Sequence, residues 1–183
     1  MTAPTLGLVI TGCGGAEEVR TQVITPLLED GWTIAVTMTP TAARWLADSG
    51  ELALIEKATG LPVRSEPRLP GEVSPHPRVD GYAVVPASAN TVAKLALAVA
   101  DNQALTMVNE AIGTLGLPVV VFPRVNAAHA RHPAWEGHLD ALRRGGVHLV
   151  YGDDVWPLHE PRSAPGRELP WAAVVNAIRT VVS

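Results

Sequence analysis

Continuous apolar runs alternate along this chain with stretches whose apolar positions recur at helical spacing. Residues 6–11 (LGLVIT) form such a run, closed by Gly12-Cys13-Gly14-Gly15. A run of this kind bounded by glycines predicts a strand buried on both faces, as in parallel sheets. In residues 16–29, Val19, Val23 and Leu27 fall about one helical turn apart, which predicts a helix that Pro26 kinks or ends. Gly31 stops it, and residues 32–38 (WTIAVTM) form a second strand. Thr39-Pro40-Thr41 then reads as a helix start, with Thr39 as N-cap and Pro40 in the first helical position. The helix it opens holds residues 42–46.

The alternation continues to the end. Strands are expected at 82–85, 117–122 and 147–150, and helices from about 91 to 100, at 104–115, at 133–144 and, amphipathic, at 171–182. Two stretches rich in Pro and charge interrupt it: 60–79, with at most a short strand near 61–64, and 153–170. Strands alternating with helices, without an internal repeat, predict an α/β fold. Its form is a three-layer, doubly wound parallel sheet, Rossmann-like or flavodoxin-like, in one domain over 1–183.

Composition narrows the function. A chain of 183 residues, 47% hydrophobic, is long enough for one well-buried domain and short for two. Fourteen basic against eighteen acidic side chains give a net charge of −4, so no cationic surplus favours nucleic acid. No apolar run approaches the roughly 20 residues of a membrane span. No positively charged flank precedes the first strand, so the expected location is cytoplasmic, with no membrane partner. The single cysteine, Cys13, excludes an intramolecular disulfide and a cysteine-based zinc site.

Doubly wound sheets bind ligands beyond the carboxyl ends of their strands. Thr11-Gly12-Cys13-Gly14-Gly15 leads into a helix start, where free N–H groups attract phosphate. Its spacing is not GxGxxG, and Thr39 rather than an acid ends the second strand, so a mononucleotide phosphate fits better than NAD. The same glycines also suit a plain tight turn. Pro86-Ala87-Ser88-Ala89-Asn90-Thr91 (PASANT) ends a strand and opens a helix, where Ser88, Asn90 and Thr91 serve either as caps or as ligand groups.

PASANT, followed by Val92-Ala93-Lys94-Leu95-Ala96 and Ala100-Asp101-Asn102, resembles the homo-oligomeric flavin-containing cysteine decarboxylases. The resemblance covers most of the chain. Val9-Ile10-Thr11-Gly12 is similar to the family's first strand and phosphate loop, and residues 36–42 to its second strand and helix start. Pro123-Arg124-Val125-Asn126 resembles its Pro-x-Met-Asn segment, and Gly166-Arg167-Glu168-Leu169-Pro170 the stretch before its last helix. The resemblance implies FMN as cofactor, with Gly12, Cys13, Thr39 and Thr41 at its phosphate and ribityl end. It places Pro86, Ala87, Ser88 and Thr91 against the isoalloxazine and Asn90 on the substrate carboxylate. Asn126 falls in a substrate-contacting segment. It further implies a homo-oligomer, a trimer or a dodecamer of trimers.

Departures from the pattern shape the expected activity. The family histidine that acts as base has its nearest counterpart in His76, while Glu72 stands at the expected spacing. Val125, His129 and Ala130 replace the methionines and tryptophan of the Pro-x-Met-Asn-x-x-Met-Trp clamp. His129, His132 and His138 lack a fourth ligand and read as helix-end histidines rather than a metal site. The 153–170 stretch, with Trp156 and His159, is expected to be a mobile clamp over substrate or an ordinary surface loop. It holds no cysteine to re-reduce an enethiol, which disfavours redox-neutral phosphopantothenoylcysteine decarboxylation. The implied reaction is oxidative decarboxylation of a C-terminal peptidyl cysteine or small thiol to an enethiol. The alternatives are an FMN flavoprotein without that activity, reductase-like or flavin-prenyltransferase-like, and a non-catalytic FMN-binding regulatory subunit.

Overall fold

In the computed structural model, which describes residues 3–182, β1 (Thr5–Ile10) pairs in parallel with β2 (Thr33–Met38) and, on its other side, with β3 (Gly81–Ala87). β4 (Val119–Pro123) and β5 (His148–Leu149) extend the sheet, giving the order β2-β1-β3-β4-β5 with every pairing parallel. This is the expected doubly wound arrangement, and its strand order reverses between β1 and β3. Met1, Thr2 and Ser183, included above in one domain, lie outside the described residues.

Side chains alternate across the strands and divide the core into two layers. Leu6, Leu8 and Ile10 of β1 join Ile34, Val36, Val120 and Phe122 in one cluster. It is covered by the segment running into α1 (Thr25–Glu29), by α2 (Pro40–Asp48) and α3 (Glu51–Thr59), and by α8 (Trp171–Val182). Val9, Val84 and Val121 face the other way, under α4 (Ala89–Ala96), α5 (Gln103–Gly113) and α7 (Trp135–Arg144). A short α6 (Ala127–Ala130) follows β4.

Local chemistry explains the boundaries. Thr39 caps α2, its hydroxyl accepting from the Ala42 N–H at 3.5 Å, with Pro40 next in the chain. The segment expected as one helix over 16–29 is a 3-10 turn (Ala16–Glu18), a π turn (Arg20–Ile24) and then α1. Pro26 has no N–H to give the preceding turn, which widens, and the Thr25 hydroxyl bonds back to the Arg20 carbonyl at 2.9 Å. α3 was absent from the sequence pattern: it is bracketed by Gly50 and Gly60, both left-handed, and held by an Arg20–Glu51 ion pair at 2.8 Å. α4 stops at Ala96, short of the expected 100, because Ala98 turns left-handed at φ 55°. The short strand expected near 61–64 is a single bridge: Arg64 exchanges backbone bonds with Val36 and Met38 at 3.0 and 2.7 Å and covers the outer edge of β2.

Gly7 of β1 lets the Tyr82 ring lie flat on the sheet, since a Cβ there would stand 2.4 Å from Tyr82 Cε1. Gly7→Ala is expected to cost about 1–3 kcal/mol in denaturant unfolding through overpacking. Adding Tyr82→Ala should recover part of that loss; an additive double variant would show that the ring is not what the glycine accommodates.

Candidate functional site

The carboxyl ends of β1 and β3 are joined by one side chain. Thr11, buried directly after β1, donates its hydroxyl to the Pro86 carbonyl at 2.8 Å and accepts from the Ser88 N–H at 3.0 Å. The Arg124 N–H continues the pairing beyond β4 by donating to the Ala87 carbonyl at 2.8 Å. Ser88 then caps α4, its oxygen accepting from the Thr91 N–H at 3.2 Å and lying 2.9 Å from the Thr91 hydroxyl. Pro86, Ala87 and Thr91 are buried, so the polar atoms of PASANT are tied into the fold up to Asn90, which stands exposed on the first turn of α4.

The glycine loop lies against the neighbouring helix start. A Cβ on Gly12 would stand 2.6 Å from the Thr41 methyl, so the loop approaches the first turn of α2 closely at a point where only glycine fits. Burial pushes the Cys13 thiol up to about 11, opposed by its hydrogen bond to Thr11 and by the charge of Arg124. It is therefore protonated at neutral pH and no nucleophile. The Gly15 N–H is taken by the exposed Glu17 carboxylate at 3.1 Å.

Arg124 was not singled out from the sequence, where it appeared only as the variable residue of Pro-x-Met-Asn. Its Nη2 lies 3.8 Å from where a Cβ on Gly14 would stand, and its guanidinium stacks 4.8 Å over Trp156. Its buried Nε has no hydrogen-bond partner, and no carboxylate pairs with it among the described residues. A guanidinium with no carboxylate partner beside a glycine loop has the chemistry to take an anion.

Two clefts meet at Asn126. One, about 490 Å³, brings Asn90 and Asn126 together over Ala93 and Trp135, with His129 and His138 also on its wall. Asn126 caps α6, its oxygen accepting from the His129 N–H at 3.0 Å, which leaves the amide NH₂ to face a ligand. The second cleft lies between Asn126 and the 153–170 strap. That strap is fastened at several points. The Trp156 indole donates to the Glu168 carbonyl at 3.0 Å, the Ala127 N–H donates to the His159 carbonyl at 2.9 Å, and Arg131 pairs with Glu160 at 2.9 Å.

Neither candidate base lines these clefts. Glu72 sits in an exposed turn, accepting from the Leu69 N–H at 2.8 Å. His76 is buried beside the outer edge of β2, its Nε2 at 2.7 Å from the Pro62 carbonyl. That carbonyl can only accept, so Nε2 carries the proton and Nδ1 is a bare, buried lone pair. Burial lowers the His76 pKa; the Pro62 bond opposes this and the Arg64 charge adds to it.

The doubly wound sheet, with a glycine loop beyond β1 and Arg124 beside it, is the architecture of nucleotide-type binding proteins. The profile of the family described as Flavoprotein matches residues 1–183, and the chain belongs to that family. The FMN-dependent cysteine decarboxylase SpaF is 25% identical, with 96% of this chain and 98% of that one covered at a TM-score of 0.65. TvaF, from thioviridamide biosynthesis, is 24% identical over 80% of this chain and 88% of its own, at 0.64. A PPC decarboxylase variant complexed with pantothenoylaminoethenethiol is 18% identical over 97% of each chain, at 0.70. A curated cysteine/cysteine sulfinic acid decarboxylase from an unknown prokaryotic organism is 35% identical over 71 residues, 39% of this chain and 19% of its own length. The resemblance first seen in PASANT is thereby borne out at the level of family and fold. No helix among the described residues is long and apolar enough to cross a membrane.

His76 makes stability depend on pH. Its folded-state pKa lies below its unfolded one, so the unfolded chain takes up the proton first. The stability that neutral His76 supports is complete above about pH 6.5 and is lost as pH falls toward the folded-state value. His76→Gln is expected to flatten the decline in melting temperature between about pH 7 and 5. An unchanged decline would place the acid sensitivity elsewhere.

Proposed function

We propose that this chain is an FMN-dependent oxidative decarboxylase acting on a C-terminal peptidyl cysteine. The carrying observation is the convergence of the Asn90 and Asn126 side chains on one largely apolar cleft, beside the anion site formed by the glycine loop and Arg124. The fit to FMN rests on that guanidinium: its buried, unpartnered Nε and its place next to Gly14 match a phosphate there. Glu17 on the Gly15 N–H is an exposed carboxylate that a phosphate displaces. Gly12, Cys13, Thr39 and Thr41 surround the phosphate and ribityl end, and Pro86, Ala87, Ser88 and Thr91 form the wall for the ring.

When bound, FMN supplies a two-electron acceptor for the cysteine Cβ–SH unit. The protein's part is to hold and shield. Asn90 donates its amide N–H to the substrate carboxylate, fixing the Cα–COO⁻ bond for cleavage. Asn126 presents its free NH₂ from the opposite side. The apolar floor excludes water from a carboxylate about to leave as CO₂, a loss that is easier without hydration. The thiol proton goes to a base. His76, neutral with a bare Nδ1, has the chemistry for that role, but it stands outside its own chain's clefts. Its Nδ1 is buried, so His76 reaches a thiol only if its segment moves; a homo-oligomer, a trimer or a dodecamer of trimers in the cytoplasm, is the proposed assembly by likeness to the family. The product is an enethiol.

A purified, yellow protein whose released chromophore has the mass of FMN is the first expected result. With a cysteine-ended peptide it should bleach anaerobically and remove about 46 Da, CO₂ plus two hydrogens. Bleaching without mass loss would favour a reductase, and a colourless protein that takes up no FMN would end the flavin reading. Asn90→Ala should lower turnover by about a hundredfold or more with FMN retained, and unchanged turnover would remove its carboxylate role. Arg124→Gln should weaken FMN by about 10–100-fold while leaving riboflavin affinity unchanged. Equal losses for both flavins would place the guanidinium away from the phosphate.

A further inference from the structure

Arg124, Arg162 and Arg167 line the cleft of about 300 Å³ between Asn126 and the strap, and His159 stands with them. Among the described residues none of the three arginines pairs with a carboxylate. The one acid on the cleft wall, Glu160, is already held by Arg131, which lies outside it. Two guanidiniums stack on Trp156, Arg124 at 4.8 Å and Arg167 at 4.1 Å from its ring centre. Arg167 is also anchored to the Pro157 carbonyl, so its plane is set before any ligand arrives. Arg162 is held in the left-handed region at φ 64°, rare for a residue with a side chain, by a turn in which the Ser163 N–H and hydroxyl both donate to the Glu160 carbonyl.

This is a concentration of positive charge without a paired carboxylate among the described residues, on a chain whose net charge is −4. It is also one step from the reaction site, because Asn126 and Pro161 line both clefts. A residue in an extended chain advances about 3.5 Å. A cysteine with its carboxylate at Asn90 and Asn126 therefore sets the residue before it at the mouth of the arginine cleft. With Arg124 turned toward the glycine loop, Arg162, Arg167 and His159 are left for that residue.

We propose that this cleft is a specificity subsite for a carboxylate side chain on the residue preceding the substrate's C-terminal cysteine. The planar guanidiniums suit a carboxylate bidentately. The inference rests on the peptidyl-cysteine reading for its chemistry but has a binding readout of its own. Short peptides ending Glu-Cys, Gln-Cys and Lys-Cys are titrated into the FMN-loaded protein, following Trp156 fluorescence (with Trp156→Phe as the blank) and, separately, flavin bleaching. Glu-Cys is expected to bind about tenfold tighter than Gln-Cys, with Lys-Cys weakest, and the Glu advantage should shrink as salt rises. Arg162→Gln and Arg167→Gln should each narrow the Glu-to-Gln ratio, with unchanged melting temperature and FMN content confirming the fold. Equal binding of Glu-Cys and Gln-Cys with normal bleaching overturns the subsite and leaves the decarboxylase reading standing. A Glu preference without bleaching does the reverse. Tight binding of a phosphorylated small thiol but not Glu-Cys would reassign the cleft to phosphate and overturn the carboxylate.

Discussion

The arrangement at the top of the sheet depends on the Thr11 hydroxyl. At the carboxyl ends it joins the two strands flanking the reversal of strand order, donating to Pro86 and accepting from Ser88. The bond to Pro86 is buried and the one from Ser88 partly so, where an unmade polar pair is costly, and together they hold the β1 and β3 ends in one relative position. Everything proposed for catalysis is measured from that position. Gly12 and Cys13 follow Thr11 directly. Asn90 sits two residues beyond Ser88 on a helix whose first turn Ser88 caps, and Arg124 bonds the intervening Ala87 carbonyl.

The sheet contributes rigidity and the loops contribute chemistry, and the split is visible in the burial. Leu8, Ile10, Val84 and Val121 are fully buried and leave no room for a ligand among the strands. Asn90, the Asn126 amide and the arginines under the strap, with hydrogen-bonding or charge capacity to spare, stand past the strand ends. Hydrogen bonds to α6 and within the strap hold them in place. A mobile lid therefore gains little from thermal motion here: the Arg131–Glu160 pair and the Ala127-to-His159 bond fasten the strap to the segment that carries Asn126. If it opens, it opens against those bonds, and the exposed ion pair is the weaker of the two.

Much of this was legible in the sequence because the controlling signals are local. Strands buried on both faces read as unbroken apolar runs. Thr39-Pro40 and PASANT read as caps, and both threonine and serine cap as expected. What escaped notice was set by contacts distant in sequence. α3 owes its place to Arg20, 31 residues before Glu51, and the early end of α4 follows from a left-handed alanine that no composition rule favours. In the site, the two asparagines could be named from the pattern, but their meeting in one cleft could not. His76 was named as well, yet its burial against Pro62, 14 residues earlier, comes from the fold and not from its flanking prolines.

Arg124 was hidden because the resemblance assigns its position no role. One signal could have exposed it. In a chain with 14 basic and 18 acidic residues, an arginine directly after a fully apolar strand lies where a doubly wound sheet presents its ligands. A charge there either finds a partner within the chain or waits for one. Arg20, Arg131 and Arg143 find theirs in Glu51, Glu160 and Asp140. Arg124 finds only the face of Trp156, which stabilises a cation but neutralises nothing. Arg167 lies against the same ring and donates to the Pro157 carbonyl, so one indole carries two like charges. Their mutual repulsion is relieved by an anion on either side: a phosphate toward the glycine loop for Arg124, a carboxylate in the strap cleft for Arg167.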